Sequence, residues 1–189
     1  LAANSVQTAG MGHVLHAIVG HQPQPIVHDG VLVANCEIYN WQELAKEYGL
    51  AVKNDADLLC LLLDRCDLSE ESVFSLLDSL DGIFAFAYRR GDALIIARDL
   101  LGVKPLWFTH QDGFAFASEK KVLAAAGFHD VVDLNPRVVL SYDVKSHELL
   151  RWRRAFFEKR PASGASEGEL AKELKGLVVQ AIRKRIPDN

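Results

Sequence analysis

The feature that most restricts the fold of this chain is a series of closely spaced hairpin signals in its middle third. Ile83–Tyr88 and Ala93–Ala97 are strand-like runs separated by Arg89-Arg90-Gly91-Asp92, and Pro105–Thr109 and Phe114–Ala117 flank a second turn, His110-Gln111-Asp112-Gly113. Short apolar runs joined by such turns pair antiparallel, because a parallel pair needs a long crossover. Arg137–Tyr142 and Glu148–Phe157 add two further expected strands. Upstream, His13–Val19 and Val31–Asn35 read as strands on either side of the loop Gln22-Pro23-Gln24-Pro25, the second launched by Asp29-Gly30. Asn40 is placed to cap a helix through Trp41, Leu44, Ala45 and Tyr48, closed by Gly49. The leucine-crowded stretch Asp55–Cys66 exceeds a typical strand and predicts a helix. Ser69 starts another through Val73, Phe74, Leu76, Leu77 and Leu80, and a short one runs from Glu119 to Ala126 before Gly127. Consecutive hairpins with flanking helices point to an α+β layered domain rather than a doubly wound parallel sheet.

Residues 158–168 have linker composition, and residues 169–189 follow as a helix. In that helix Leu170, Leu174, Leu177, Val178, Ala181 and Ile182 share one apolar face, and Pro187 ends it. Residues 1–157 are therefore expected to form the one folded domain. With 49% hydrophobic and 24% charged residues in 189, a sizeable core is available. The net charge of −4 leaves no basic footprint for nucleic acid. Arg151-Trp152-Arg153-Arg154 and Arg183-Lys184-Arg185 read as solvated faces or domain-interface contacts. No apolar run approaches the roughly 18 residues of a membrane span, and no signal-peptide pattern opens the chain, which starts at Leu1. A cytoplasmic setting with no membrane partner is the expectation. Cys36, Cys60 and Cys66 are too few for a disulfide scaffold, and Cys60 and Cys66 read as small core residues of an apolar helix.

No Gly-rich phosphate loop, His-Glu-x-x-His pair or Cys-x-x-Cys is present. Seven histidines are scattered, with His13 and His16 on opposite faces of their expected strand, so no metal site is expected. The segment Asn35-Cys36-Glu37-Ile38-Tyr39-Asn40 stands apart. A strand ending in Asn-x-Glu sets a carboxamide, a backbone N–H and a carboxylate at one sheet edge, groups that donate to a developing oxyanion and pair with an ammonium. The same residues read as an ordinary strand-to-helix turn, with Asn40 capping and Glu37 on the surface. From physics alone that plainer reading is favoured.

The segment resembles the Asn-Gly-Glu-Ile-Tyr-Asn motif of the glutaminase domain of asparagine synthetase, a class II glutamine amidotransferase. Further segments fit that family in order. Gly12-His13 followed by Gln22-Pro23 resembles its Gly-His…Gln-Pro stretch, and Asn54-Asp55-Ala56-Asp57 is similar to its Ser-Asp-Thr-Glu. Leu80-Asp81-Gly82-Ile83-Phe84-Ala85-Phe86-Ala87 resembles its Leu-x-Gly-Met-Phe-Ala-Phe-Ala. The run from Arg98 to Leu106 departs from its Arg-Asp-Pro-Leu-Gly-Val-Lys-Pro-Leu at Leu100 alone, and Phe116-Ala117-Ser118-Glu119 with Lys120-Lys121 completes the series. The match spans about residues 12 to 157, and His13-Val14-Leu15-His16 looks like the divergent, asparagine-synthetase-related branch.

The resemblance implies an N-terminal-nucleophile hydrolase fold, a four-layer αββα sandwich of two antiparallel sheets flanked by helices. It implies that an N-terminal cysteine attacks the glutamine carboxamide, that its α-amine shuttles protons, and that ammonia passes to a synthetase domain. By position, Asn35 and the Cys36 backbone N–H form the oxyanion hole, and Glu37 and Asp55 hold the α-ammonium of glutamine. No cofactor is expected in this domain; ATP and Mg belong to the synthetase domain, into which the terminal helix leads. Glutamine and that synthetase domain are the expected partners, and a homodimer is left open. Three departures weigh on the activity. No cysteine precedes Cys36, the motif glycine is Cys36, and the arginine that would clamp the glutamine carboxylate falls at Leu15. Nothing adjacent in sequence supplies a base that would make Cys36 a replacement nucleophile. Either the domain is a catalytically silent interaction module on the same fold, or residues are missing at Gln7–Thr8 or Gly20–His21. The latter predicts a Cα–Cα spacing there above roughly 3.8 Å.

Overall fold

The computed structural model describes residues 10–13, 22–111, 113–157 and 164–186. The expected strand beyond His13, Leu15, the junctions Gln7–Thr8 and Gly20–His21, and residues 158–163 of the linker lie outside the described residues. A six-stranded antiparallel sheet has the order β1-β2-β3-β4-β8-β9, from β1 (Ile26–Val27), β2 (Val31–Ile38), β3 (Gly82–Arg90), β4 (Ala93–Arg98), β8 (Val138–Asp143) and β9 (Leu149–Arg153). A three-stranded sheet has the order β6-β5-β7, from β5 (Trp107–Thr109), β6 (Ala115–Ala117) and β7 (Val132–Asp133). Helices α1 (Trp41–Glu47), α2 (Asp55–Arg65) and α3 (Glu70–Ser79) separate β2 from β3, α4 (Lys120–Ala125) follows β6, and α5 (Glu167–Arg183) comes last.

Strand periodicity sorts the large sheet into two cores. On one face Leu32, Ala34, Ile38, Phe84, Phe86, Tyr88, Ile95, Ala97 and Val139 pack against Leu59, Cys60, Leu63, Val73 and Leu77 of the helices. On the other, Val33, Ala85, Ala87, Leu94, Ile96, Leu140 and Tyr142 pack against Leu106, Phe108 and Leu134 of the small-sheet side. Burial on both faces is why β3 and β4 read as continuous apolar runs rather than alternating ones. The chain is thus an α+β sandwich of two antiparallel sheets and flanking helices. Side-chain caps start α2 and α3: Asn54 accepts from Asp57 N and Ser69 from Ser72 N.

Several local expectations need correction. Asn40 does not cap α1 with its side chain; its Nδ2 donates to Ser79 O and its Oδ1 accepts from Asp81 N, both at 2.9 Å. Those tertiary partners outcompete the local helix terminus for the amide. Cys66 stands at the C-cap of α2 rather than inside it. The two-residue strands β1 and β7 were not expected from sequence, being too short to show a period. β9 ends at Arg153, where the Arg154 guanidinium turns inward to Asp78 and Arg98 O.

Candidate functional site

The Asn35–Ile38 end of β2 lies past the reach of β1, which pairs only with Val31 and Leu32. The ladder alternates, so every second residue of β2 turns its backbone groups away from β3. Ala34 does so, and the Gln24 carboxamide replaces a neighbouring strand there, donating to Ala34 O (2.8 Å) and accepting from Ala34 N (2.6 Å). Ile38 N also points outward, to Asp55 Oδ2 at 3.0 Å. Cys36, between them, faces Phe84, whose own N–H and C=O go to Asp99. The Cys36 N–H is therefore directed out of the sheet at this edge. The exposed Asn35 side chain precedes it.

Two faces of β2 carry the carboxylates. Glu37 shares the Val33 side, toward the small sheet, and its Oε1 accepts from Lys104 Nζ at 2.8 Å with both side chains half-buried or better. Lys104 is brought there by a tight loop after β4. The buried Asp99 carboxylate accepts from Val103 N (2.9 Å) and Lys104 N (3.0 Å), and Gly102 adopts φ +68. A Cβ at Gly102 would meet Pro136 Cγ at 2.6 Å, and the adjacent Arg98 guanidinium donates to Gly102 O, Leu134 O and Asp133 Oδ1. Arg98–Pro105, the most distinctive run in the sequence, thus builds the support for Lys104.

Asp55 opens α2 on the helix side of β2, only 5% exposed. Its carboxylate accepts from Ile38 N and Ala56 N (2.9 Å) and is hydrogen-bonded by the Cys36 thiol. Burial raises its pKa above the ordinary carboxylate value, against the pull of those hydrogen bonds. Burial, and then the Asp55 charge, push the Cys36 thiol well up, so Cys36 stays protonated rather than nucleophilic. Asn35, Cys36 and Glu37 thus share one strand end, Asp55 reaches it through Cys36 and Ile38, and the Glu37 and Asp55 carboxylates approach from opposite faces. Beside them, His13 hydrogen-bonds the Ala34 backbone, and its pKa is lowered by burial. Among the described residues, no group of three or more His, Cys, Asp or Glu is placed to hold a metal ion.

The family model described as a glutamine amidotransferase domain matches residues 3–157. The chain belongs to that family. It is related to the asparagine synthetases in particular. It is 35% identical over 127 residues to asparagine synthetase [glutamine-hydrolyzing] 3 of Bacillus subtilis, covering 60% of this chain and 20% of that protein. It is 37% identical over 135 residues to putative asparagine synthetase [glutamine-hydrolyzing] 1 of Methanocaldococcus jannaschii, covering 65% of this chain and 23% of that one. The chain therefore spans less than a third of the length of these relatives. Among solved structures, glutamine phosphoribosylpyrophosphate amidotransferase from B. subtilis aligns with a TM-score of 0.63 at 20% identity, over 75% of this chain and 34% of that one. The amidotransferase domain thus has the N-terminal-nucleophile type of fold.

Two residues beside the strand end carried no role from sequence. Lys104 lies 67 positions from Glu37 and meets it only through the loop after β4. Its place in the Arg98–Leu106 run was the available signal. His13, read as a packing or surface histidine, is half-buried, and its place beside the Ala34 backbone was not read from the sequence.

Proposed function

We propose that this amidotransferase domain hydrolyses glutamine to glutamate and ammonia, and that the ammonia serves ATP- and Mg-dependent asparagine synthesis by a synthetase domain of the same polypeptide. The observation that carries this reading is the exposed Asn35 side chain preceding an outward-directed Cys36 N–H, at a strand edge that no described strand covers, in a chain of this family. Two such donors suit the oxyanion formed when a thiolate adds to a carboxamide carbon. Carbon–sulfur bond formation, departure of ammonia with a proton relayed by the α-amine, and hydrolysis of the thioester by water give glutamate and return the thiol. An α-amine with a pKa near 7.7–8.0 suits that relay. The thiol would be an N-terminal cysteine, since the Cys36 thiol is held protonated and Cys60 is fully buried. Glu37 and Asp55 would flank the α-ammonium from the two faces of β2.

The domain would comprise residues 1–157, with 158–168 as linker and 169–189 leading into the synthetase domain. The exposed apolar face of α5 (Leu174 61%, Leu177 56%, Ile182 55% exposed) supports such a neighbour. Its end stays near the site through Lys184 on Asp81 and Arg185 over the Tyr39 ring. One observation favours the alternative, a silent module: Asp55 already has partners in Ile38 N, Ala56 N and the Cys36 thiol, the last at the position where the family's motif has glycine. Incubating the full-length protein with L-glutamine and measuring glutamate separates the two. Release above an enzyme-free control, lost when the N-terminal cysteine is alkylated, is expected. A folded protein that releases none is the silent module.

A further inference from the structure

The Glu37–Lys104 pair has hydrogen-bonding capacity to spare at both ends. Lys104 Nζ spends one of its three N–H groups on Glu37 Oε1, at 2.8 Å, and no other group among the described residues bonds either terminus. Glu37 Oε2 and two ammonium N–H groups are thus unengaged, on side chains only 28% and 17% exposed. Both partners are fixed in place. Glu37 stands on β2, paired with β3, and Asp99 holds the Lys104 backbone through the Val103 and Lys104 N–H groups. A half-buried pair of this kind is matched by a ligand that brings a cation and an anion side by side. The head group of an α-amino acid does so, its ammonium and carboxylate sharing one carbon.

Strand parity sets this pair beside the amide-binding group. Asn35 and Glu37 are two positions apart on β2, so their side chains leave the same face, about 7 Å apart along the strand. A short aliphatic chain spans that gap, as one does between the carboxamide and the α-carbon of glutamine. Other cations near this strand end are engaged elsewhere, Lys184 on Asp81 and Arg185 over the Tyr39 ring. His13 is kept neutral, because burial lowers its pKa.

We propose that Lys104 is a substrate-binding residue of this domain: the Glu37–Lys104 pair receives the zwitterionic head of an α-amino acid amide, the ammonium on Glu37 and the carboxylate on Lys104. The proposal rests on the glutamine reading given above and adds to it the group that takes the α-carboxylate. No contact is broken on binding, since each partner keeps its bond to the other and fills its unused positions.

The test titrates the full 189-residue chain with L-glutamine and with 4-aminobutanamide, its analogue without the α-carboxylate, following amide shifts by NMR. The wild type is expected to bind glutamine at least about tenfold more tightly than the analogue, the affinity equivalent of one charge-assisted hydrogen bond. Lys104→Met, which keeps the length of the side chain but not its charge, is expected to weaken glutamine by that factor and to bind both probes within about threefold of each other. A wild type that binds the two probes equally has no cation for the carboxylate and overturns the proposal, with no variant needed. A Lys104→Met protein that weakens both probes by the same factor shows that Lys104 acts only by holding Glu37; that outcome overturns the proposal and leaves the glutamine reading standing. Failure of the wild type to bind either probe overturns the glutamine reading, and the proposal with it.

Discussion

Cys60, fully buried on α2, has its thiol pushed up to about 12 by burial and by the nearby Asp64 and Asp57 charges. Its value in the unfolded chain is the ordinary 9.0, so the folded state holds the proton more tightly. The contribution to stability is complete below pH 9, falls as pH rises toward 12, and is lost above that, a total on the order of 4 kcal/mol. Urea unfolding at pH 8 and pH 10.5 should therefore show a steeper alkaline loss in the wild type than in Cys60→Ala. Equal losses would show that the buried thiol is not what couples this core to pH. At the site itself, Gly82 shows the demand for close approach: a Cβ there would lie 2.4 Å from Glu37 O and 2.8 Å from the Ile38 Cα. Any side chain at Gly82 would push the strand end that carries Asn35 and Cys36.

Elements are tied to one another by a few polar side chains that act over long sequence distances. Arg90, on β3, donates to Asp64 O and Cys66 O at the C-terminus of α2, and also to Leu63 O, which it shares with the Cys66 N–H. Asn40 joins the start of α1 to the turn between α3 and β3 with two hydrogen bonds. Asn40→Ala should cost about 1–3 kcal/mol, because both backbone partners lose a half-buried bond. The midpoint in denaturant should fall with little change in its slope; a variant as stable as the wild type would show that water replaces the amide without loss. Asp99 works likewise on the loop after β4, and it is through that loop that β4 and β5 supply Lys104 to β2.

At the scale of the whole molecule, two cores on the two faces of one sheet account for the folded unit, and α5 belongs to neither. No α5 side chain is buried, and its capping box, Ser166 with Glu169, supports the helix locally. Truncation after Phe157 should accordingly leave the thermal midpoint within about 4 °C of the full chain. A larger drop would mean that α5 stabilises the sandwich through its contacts at Asp81 and Tyr39.

Local pattern was enough to read the hairpins, the long helix Asp55–Arg65 and the Asn35–Glu37 strand end, since each depends on neighbours within a few positions. The family resemblance was legible for the same reason, being carried by continuous runs such as Arg98–Leu106. Which groups face one another was not legible. Lys104 on Glu37, the Cys36 thiol on Asp55 and Asn40 across to Ser79 join residues that side-chain spacing along the chain does not relate. Strand parity decides those meetings: a residue's place on one face or the other of β2 depends on how the sheet is stacked between its helices and its partner sheet. Composition and periodicity carry the elements, and only their packing sets the electrostatic state of the carboxylates between them.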